Sequence, residues 1–260
     1  MANSGFYERI GDGKFFPNEA TIGPWSSDAQ HGGPPCALLA KMMDDFSRSD
    51  STFISKISIE FLKPVLFGVV EVSLRIVRPG YKVSLVEGEL AVNGEPTLRG
   101  RAWRLRKTPN RVPEVSMAEG LVLDPEAFEV LNLDAFPYIS NIEWRFEEGS
   151  FYDPGPVLVH ARPKIPLISN ETTSGLAEMI IVADSANGIS QELTMGEFVY
   201  VPVDLMISIL DEPIPGEFIK YDARTRIDSG GVGTSIMTIS QGGRLKASSL
   251  HTLYVDKGKA

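Results

Sequence analysis

One order of elements occurs twice in this chain, and that repeat limits the folds open to it. In the first half, residues 35–46 place Leu38, Leu39, Met42, Met43 and Phe46 at helical spacing. After the polar break "SRSDS" come runs that alternate with period two: Ile57, Ile59 and Phe61, then Val70, Val72, Leu74 and Ile76. "KVSLVEGELAV" (82–92) and "TLRGRAWRLR" (97–106) complete four strands, with turns at "PGY" (79–81) and "NGE" (93–95). The second half has short strands at "NIEWRF" and "VLVHAR", then an apolar helix over 172–188. Thr172, Thr173 or Ser174 would cap its start, and Asn187-Gly188 would stop it. Four more strands follow, with "QGG" (241–243) turning the last pair. A helix that is apolar nearly all round has to be buried. An antiparallel sheet wrapped round it provides that burial. The expectation is an α+β chain of two antiparallel sheets, each wrapped round a central helix and joined into one continuous sheet. Its units would be residues 1–110, a Pro-rich connection over 111–138, and residues 139–260.

Composition narrows the function classes. A net charge of −9 argues against a general nucleic-acid binder. The basic run over residues 98–111 could hold an anionic ligand, or could be a solvated edge strand with arginines on its outer face. No apolar run approaches the roughly 18 residues that span a membrane, so no membrane association is expected. The single cysteine, Cys36, allows no disulfide within the chain, and it falls in an apolar helix pattern as core. The beginning "MANSGFYERIGDG" shows no secretory pattern, so a cytoplasmic location is expected. His31, His160 and His251 form no HxH or CxxC spacing, so no metal and no cofactor are expected. No Gly-x-Ser-x-Gly elbow, P-loop or dinucleotide fingerprint is present.

Two places carry chemistry. "QHGGPP" (30–35) stands at the head of the first helix. A helix N-terminus presents unpaired N–H groups and partial positive charge. Glycine admits a ligand close to the backbone, and proline suits the first turn. Gly32-Gly33 can therefore polarise a carbonyl, or can simply form a tight turn. Asp184 lies among Ile, Val and Ala, in register with Leu176 and Ile180. Burying a lone carboxylate is costly, so Asp184 is either solvated at a helix end or held in a polar pocket.

Six stretches, in order, carry a family likeness: "GPWSSDAQHGGPPCALLAK", "FLKPV", "VRPGYKVSLVEGEL", "VADSANGIS", "PVDLMISIL" and "PGEF". From about Phe16 to Val255 the chain resembles acyl-CoA thioesterases of the thioesterase II type. The resemblance implies a double hotdog fold and hydrolysis of an acyl-CoA by water, without a covalent enzyme intermediate. It implies Asp184 as base or water-holder and Gly33, or Gly32, as donor to the carbonyl oxygen. The first helix has Ala40 and Lys41 where an acid would stand, and the second opens with "TTSG", not "HGG". One complete site per chain, at the seam of the halves, is implied. The acyl chain would lie between the helices against Leu38, Met42 and Ile180, with His31 at the entrance. Such chains associate, so a homodimer or homotetramer is expected.

Two positions depart from the family. Pro202 stands where a Thr or Asn is expected, and it has no side-chain hydrogen bond to offer. His251 stands where a Gln is expected. It shares strand parity with Leu245, Ala247, Leu253 and Val255, so it faces inward and could act as a second base or be a satisfied core histidine. A non-catalytic acyl-CoA or lipid binder is the alternative. A dehydratase or hydratase is disfavoured, because Ile189 occupies the place of the hydratase histidine and the dehydratase proline-glycine motif is missing.

Overall fold

A computed structural model describes residues 4–46, 51–115, 117–118, 122–194 and 196–258. Most of the polar break after the first helix, and part of the expected connection, lie outside the described residues. The first half contains β1 (Tyr7–Gly11), β2 (Lys14–Pro17), α1 (Gly33–Phe46), β3 (Thr52–Phe61), β4 (Val70–Arg78), β5 (Val83–Val92) and β6 (Glu95–Arg106). The second contains α2 (Pro137–Ser140), β7 (Ile142–Glu148), β8 (Val157–Pro163), α3 (Gly175–Ala183) and α4 (Ala186–Ile189). It continues with β9 (Phe198–Pro202), β10 (Asp204–Ile209), β11 (Ile219–Ile227), β12 (Val232–Gln241) and β13 (Arg244–Lys257).

These strands form one antiparallel sheet in the order β1-β2-β4-β5-β6-β3-β10-β13-β12-β11-β8-β7, with β9 added beside β13. The order reads as one unit of six strands followed by a second unit of six in the reverse order. Each half is a hotdog: a curved sheet holding one helix, α1 or α3. The halves join where β3 meets β10, with Ile57 opposite Ile207 and Ile59 opposite Leu205. All four side chains are fully buried, so the seam belongs to the core.

Local sequence accounts for most of these elements. Asn93 and Gly94 both have positive φ, 51° and 83°, which closes the β5–β6 hairpin with the twist the strands need. Along β13 the buried residues Ala247, Ser249, His251, Leu253 and Val255 alternate with wetter ones, which pins the register. Ser174 is the N-cap of α3, and its hydroxyl accepts from the Ala177 N–H. The apolar second helix, however, is not continuous over 172–188. It stops at Ala183, turns at Asp184 and Ser185, and resumes as α4. The Ser185 N–H reaches back to the Val182 carbonyl, tightening the last turn. The strands β1, β2 and β9 are too short to show a usable alternation.

The connection lies along the second unit. Arg145 donates to the Phe128 carbonyl, Phe128 stacks on His160, and the Leu131 N–H bonds to the Trp144 carbonyl. The short α2 straddles the boundary expected between residues 138 and 139. Among the described residues, no helix is long and apolar enough to cross a membrane.

Candidate active site

The two buried helices meet at the head of α1, and glycine is what lets them meet. A Cβ on Gly33 would overlap the carbonyl oxygen of Ile181 in α3. That oxygen also accepts from the Tyr138 hydroxyl at 2.7 Å. The Ser185 hydroxyl lies 2.9 Å from the Tyr138 oxygen. Because Tyr138 has one proton and gives it to Ile181, Ser185 is the donor there. Burial pushes the Tyr138 hydroxyl far above its usual range, so it stays a fixed neutral group.

Beside this crossing lies a cavity of about 410 Å3 between the halves. The first half supplies Gln30, His31, Gly32 and Phe61; the second supplies Asp184, Asn187 and Tyr200. The floor includes the buried Ile139, Phe151 and Ile189, and the mouth carries the exposed Trp25, Leu62 and Lys63.

Asp184 is 4% exposed and forms the C-cap of α3. A carboxylate there faces the negative end of its own helix dipole, a poor place for stability. The positive head of α1 lies opposite and offsets this. Gly32 makes the approach possible, since a Cβ there would lie 2.7 Å from Asp184 Oδ2 and 2.8 Å from the Phe61 ring. Oδ2 is 3.3 Å from His31 Nδ1. Oδ1 is 3.5 Å from His251 Nε2, is buried, and has no hydrogen-bond partner among the described residues.

His31 lies flat on the Tyr138 ring, with centroids 3.7 Å apart and planes 5° apart. Its Nδ1 accepts the Gly33 N–H at 3.1 Å. Burial pulls its pKa down to about 4; the Asp184 charge opposes this and His251 adds to it. The two glycines expected to face a carbonyl oxygen are placed differently. The Gly33 amide is already occupied by His31, and Gly33 is not in the cavity wall, whereas Gly32 and His31 are.

His251 faces inward and is fully buried, and among the described residues neither ring nitrogen has a hydrogen-bond partner. It stands behind Asp184 and outside the cavity wall, so it can act on substrate only through the carboxylate. Ser249, on the same face of β13, has a buried hydroxyl with no hydrogen-bond partner among the described residues. Opposite His251 in register is Ser235, the end of a buried hydroxyl ladder. Ser235 lies 2.7 Å from Thr225, Thr225 lies 2.8 Å from Ser190, and Ser190 donates to the Ala186 carbonyl. One proton per hydroxyl fixes the direction: Ser235 donates to Thr225 and Thr225 to Ser190.

The expected lining residues Leu38, Met42 and Ile180 do not line the cavity. Leu38 and Ile180 are fully buried in the core, and Met42 packs against it. The helices are too closely apposed for an acyl chain to lie between them, so the cavity opens beside them. Burial, and secondarily the Asp184 charge, pushes the Cys36 thiol well up, as suits a core residue. Tyr138, Ser185 and the hydroxyl ladder are absent from the sequence-level site. Periodicity marks them only as ordinary buried or capping positions.

Two family models match the chain: an acyl-CoA thioesterase N-terminal domain over residues 21–105 and an acyl-CoA thioesterase C-terminal domain over residues 109–255. Among solved structures, the chain is similar to a putative thioesterase II from Thermobifida fusca YX. The TM-score is 0.78 at 17% identity, covering 96% of this chain and 95% of that one. A putative thioesterase from Novosphingobium aromaticivorans DSM 12444 gives 0.73 at 15% identity, covering 96% and 98%. The acyl-CoA thioesterase II TesB2 from Mycobacterium marinum gives 0.71 at 12% identity, covering 97% and 96%. At these identities the structural likeness speaks to the fold. No curated protein matches the chain in sequence.

Proposed function

From the premise that this chain belongs to the acyl-CoA thioesterase family, whose N- and C-terminal domains together span most of it, we propose that it hydrolyses acyl-CoA with Asp184 as the base. The chain is a thioester hydrolase with acyl-CoA as its substrate; the residue roles are the proposal. The observation that carries it is the carboxylate of Asp184 in the wall of the cavity, opposite the head of α1.

Hydrolysis needs a positioned water, a base for its proton and a donor for the carbonyl oxygen. Asp184, in the cavity wall, takes the proton through Oδ2 as the water oxygen bonds to the acyl carbon, Oδ1 being buried beside His251. The C–S bond then breaks, and the proton passes to the departing thiolate sulfur. His251 Nε2, beside Oδ1, steadies the carboxylate from behind. Asn187, three residues beyond Asp184 in the cavity wall, supplies a side-chain amide to hold the water. Pro202, also in the wall, has no such group. Phe61, Phe136, Phe151 and Ile189 offer the acyl chain an apolar slot, and Lys63 at the mouth suits the CoA end. Exposed apolar residues on the outer sheet, Ile236 and Val232 of β12 and Tyr254 of β13, support a homodimer or homotetramer, which light scattering tests.

The experiment is release of free CoA thiol from a panel of acyl-CoAs by the wild type and by Asp184→Asn. The expected result is turnover by the wild type and a fall of about 10²-fold or more in the variant. Equal turnover by the two proteins would refute the role of Asp184.

A further inference from the structure

His31 is gripped by the head of α1 on one side and by an aromatic ring on the other. The Gly33 N–H donates to its Nδ1 at 3.1 Å, and Tyr138 lies under its face. A ring nitrogen that accepts an amide hydrogen carries no proton, so the neutral ring carries its own on Nε2. Within α1 itself the first turn has little else to offer. Pro34 and Pro35 have no N–H, and the Cys36 N–H closes the first turn on the Gly32 carbonyl. The Gly33 amide acts on the imidazole, not on a ligand, while Gly32 stands beside His31 in the cavity wall with its own N–H. Nε2 has no protein partner among the described residues, and the ring lines the cavity. With its pKa near 4, the ring is neutral at neutral pH.

We infer that the Nε2–H of His31, not the Gly33 amide, donates to the thioester carbonyl oxygen as water adds to the carbon. The inference rests on the hydrolase reading above. The arrangement also protects the base. Asp184 Oδ2 lies 3.3 Å from His31 Nδ1. A proton on Nδ1 would bind that carboxylate and make it a poorer acceptor of the water proton. The Gly33 N–H occupies the Nδ1 lone pair and keeps it unprotonated. A neutral imidazole held by a helix N-terminus is an effective carbonyl electrophile, because it stabilises the oxyanion without giving up its proton. The carbonyl oxygen gains charge while the C–O bond forms, and returns it when the C–S bond breaks.

Two measurements test this. Nitrogen NMR of the His31 ring in the free wild-type protein at neutral pH is expected to show Nε2 protonated and Nδ1 bare; the opposite tautomer overturns the inference. Kinetically, His31→Phe keeps a ring over Tyr138 but loses the donor, and His31→Gln keeps an N–H. The expected result for His31→Phe is a fall in kcat of about 10²- to 10³-fold with KM within a few-fold. That deficit should be constant over roughly pH 6 to 8, with partial recovery in His31→Gln. Full activity in His31→Phe, on a substrate the wild type turns over, removes this role and leaves the hydrolase reading intact. A wild type that releases no thiol from any acyl-CoA removes both.

Discussion

Asp184 Oδ2 of the second half lies 3.3 Å from His31 Nδ1 of the first. Neither unit alone contains that contact. It exists because β3 and β10 pair and α1 crosses α3 with a glycine at the crossing. The cavity, the carboxylate and the imidazole are therefore consequences of how the halves join.

The paired glycines differ in what they protect. Gly33→Ala would drive a methyl into the Ile181 carbonyl, which is backbone and cannot rotate away. Its expected effect is on stability, a loss of about 3 kcal/mol or more read from urea unfolding. In Gly32→Ala the methyl meets the Asp184 carboxylate and the Phe61 ring, which are side chains. It should unfold closer to wild type yet lose at least about tenfold in activity. Equal unfolding midpoints for the two variants would contradict this division.

Asp184→Asn should lose most of its turnover and become more stable at once. The substitution removes a charge that is buried and sits at the negative end of its own helix. A gain of about 1 kcal/mol, seen as a rise of a few degrees in Tm, is expected beside the lost turnover. A large fall in Tm would show that the carboxylate is instead held by favourable partners.

Stability should fall as the solution becomes mildly acidic. Burial lowers the pKa of His31 to about 4 and, more weakly countered by Glu147, lowers that of His160. Each folded value lies below the unfolded value of about 6.5, so the unfolded chain takes up protons first. The stability is complete above about pH 6.5 and declines as the pH falls toward 4. His31 accounts for up to about 3 kcal/mol of that loss. Carboxylates such as Glu87, held low by Arg101 and Arg75, add their loss only at lower pH. Urea midpoints between pH 7 and 4.5 should slope downward, and less steeply in His31→Phe. An identical slope in that variant would contradict the assignment.

The hydroxyl ladder is a structural wager on complete pairing. Thr225→Val keeps the shape but strands the Ser235 proton and leaves Ser190 without its donor. A loss of about 1–3 kcal/mol in thermal or urea unfolding is expected. A variant as stable as wild type would mean the ladder contributes nothing net.

The double hotdog is legible in the sequence because helical spacing, strand alternation and turn residues such as Asn93-Gly94 are local signals, and they occur twice in the same order. The carboxylate at Asp184 and the open helix head at Gly32-Gly33 are legible for the same reason: a charge among apolar residues, and a flexible pair before a buried helix, stand out from their immediate neighbours. What those groups touch is not a local property. That the Gly33 amide serves His31, that His251 stands behind the carboxylate, and that Leu38, Met42 and Ile180 are core all depend on distances between segments far apart in the chain. Those distances were set when the β3–β10 seam and the α1–α3 crossing packed, and no pattern within either half encodes them.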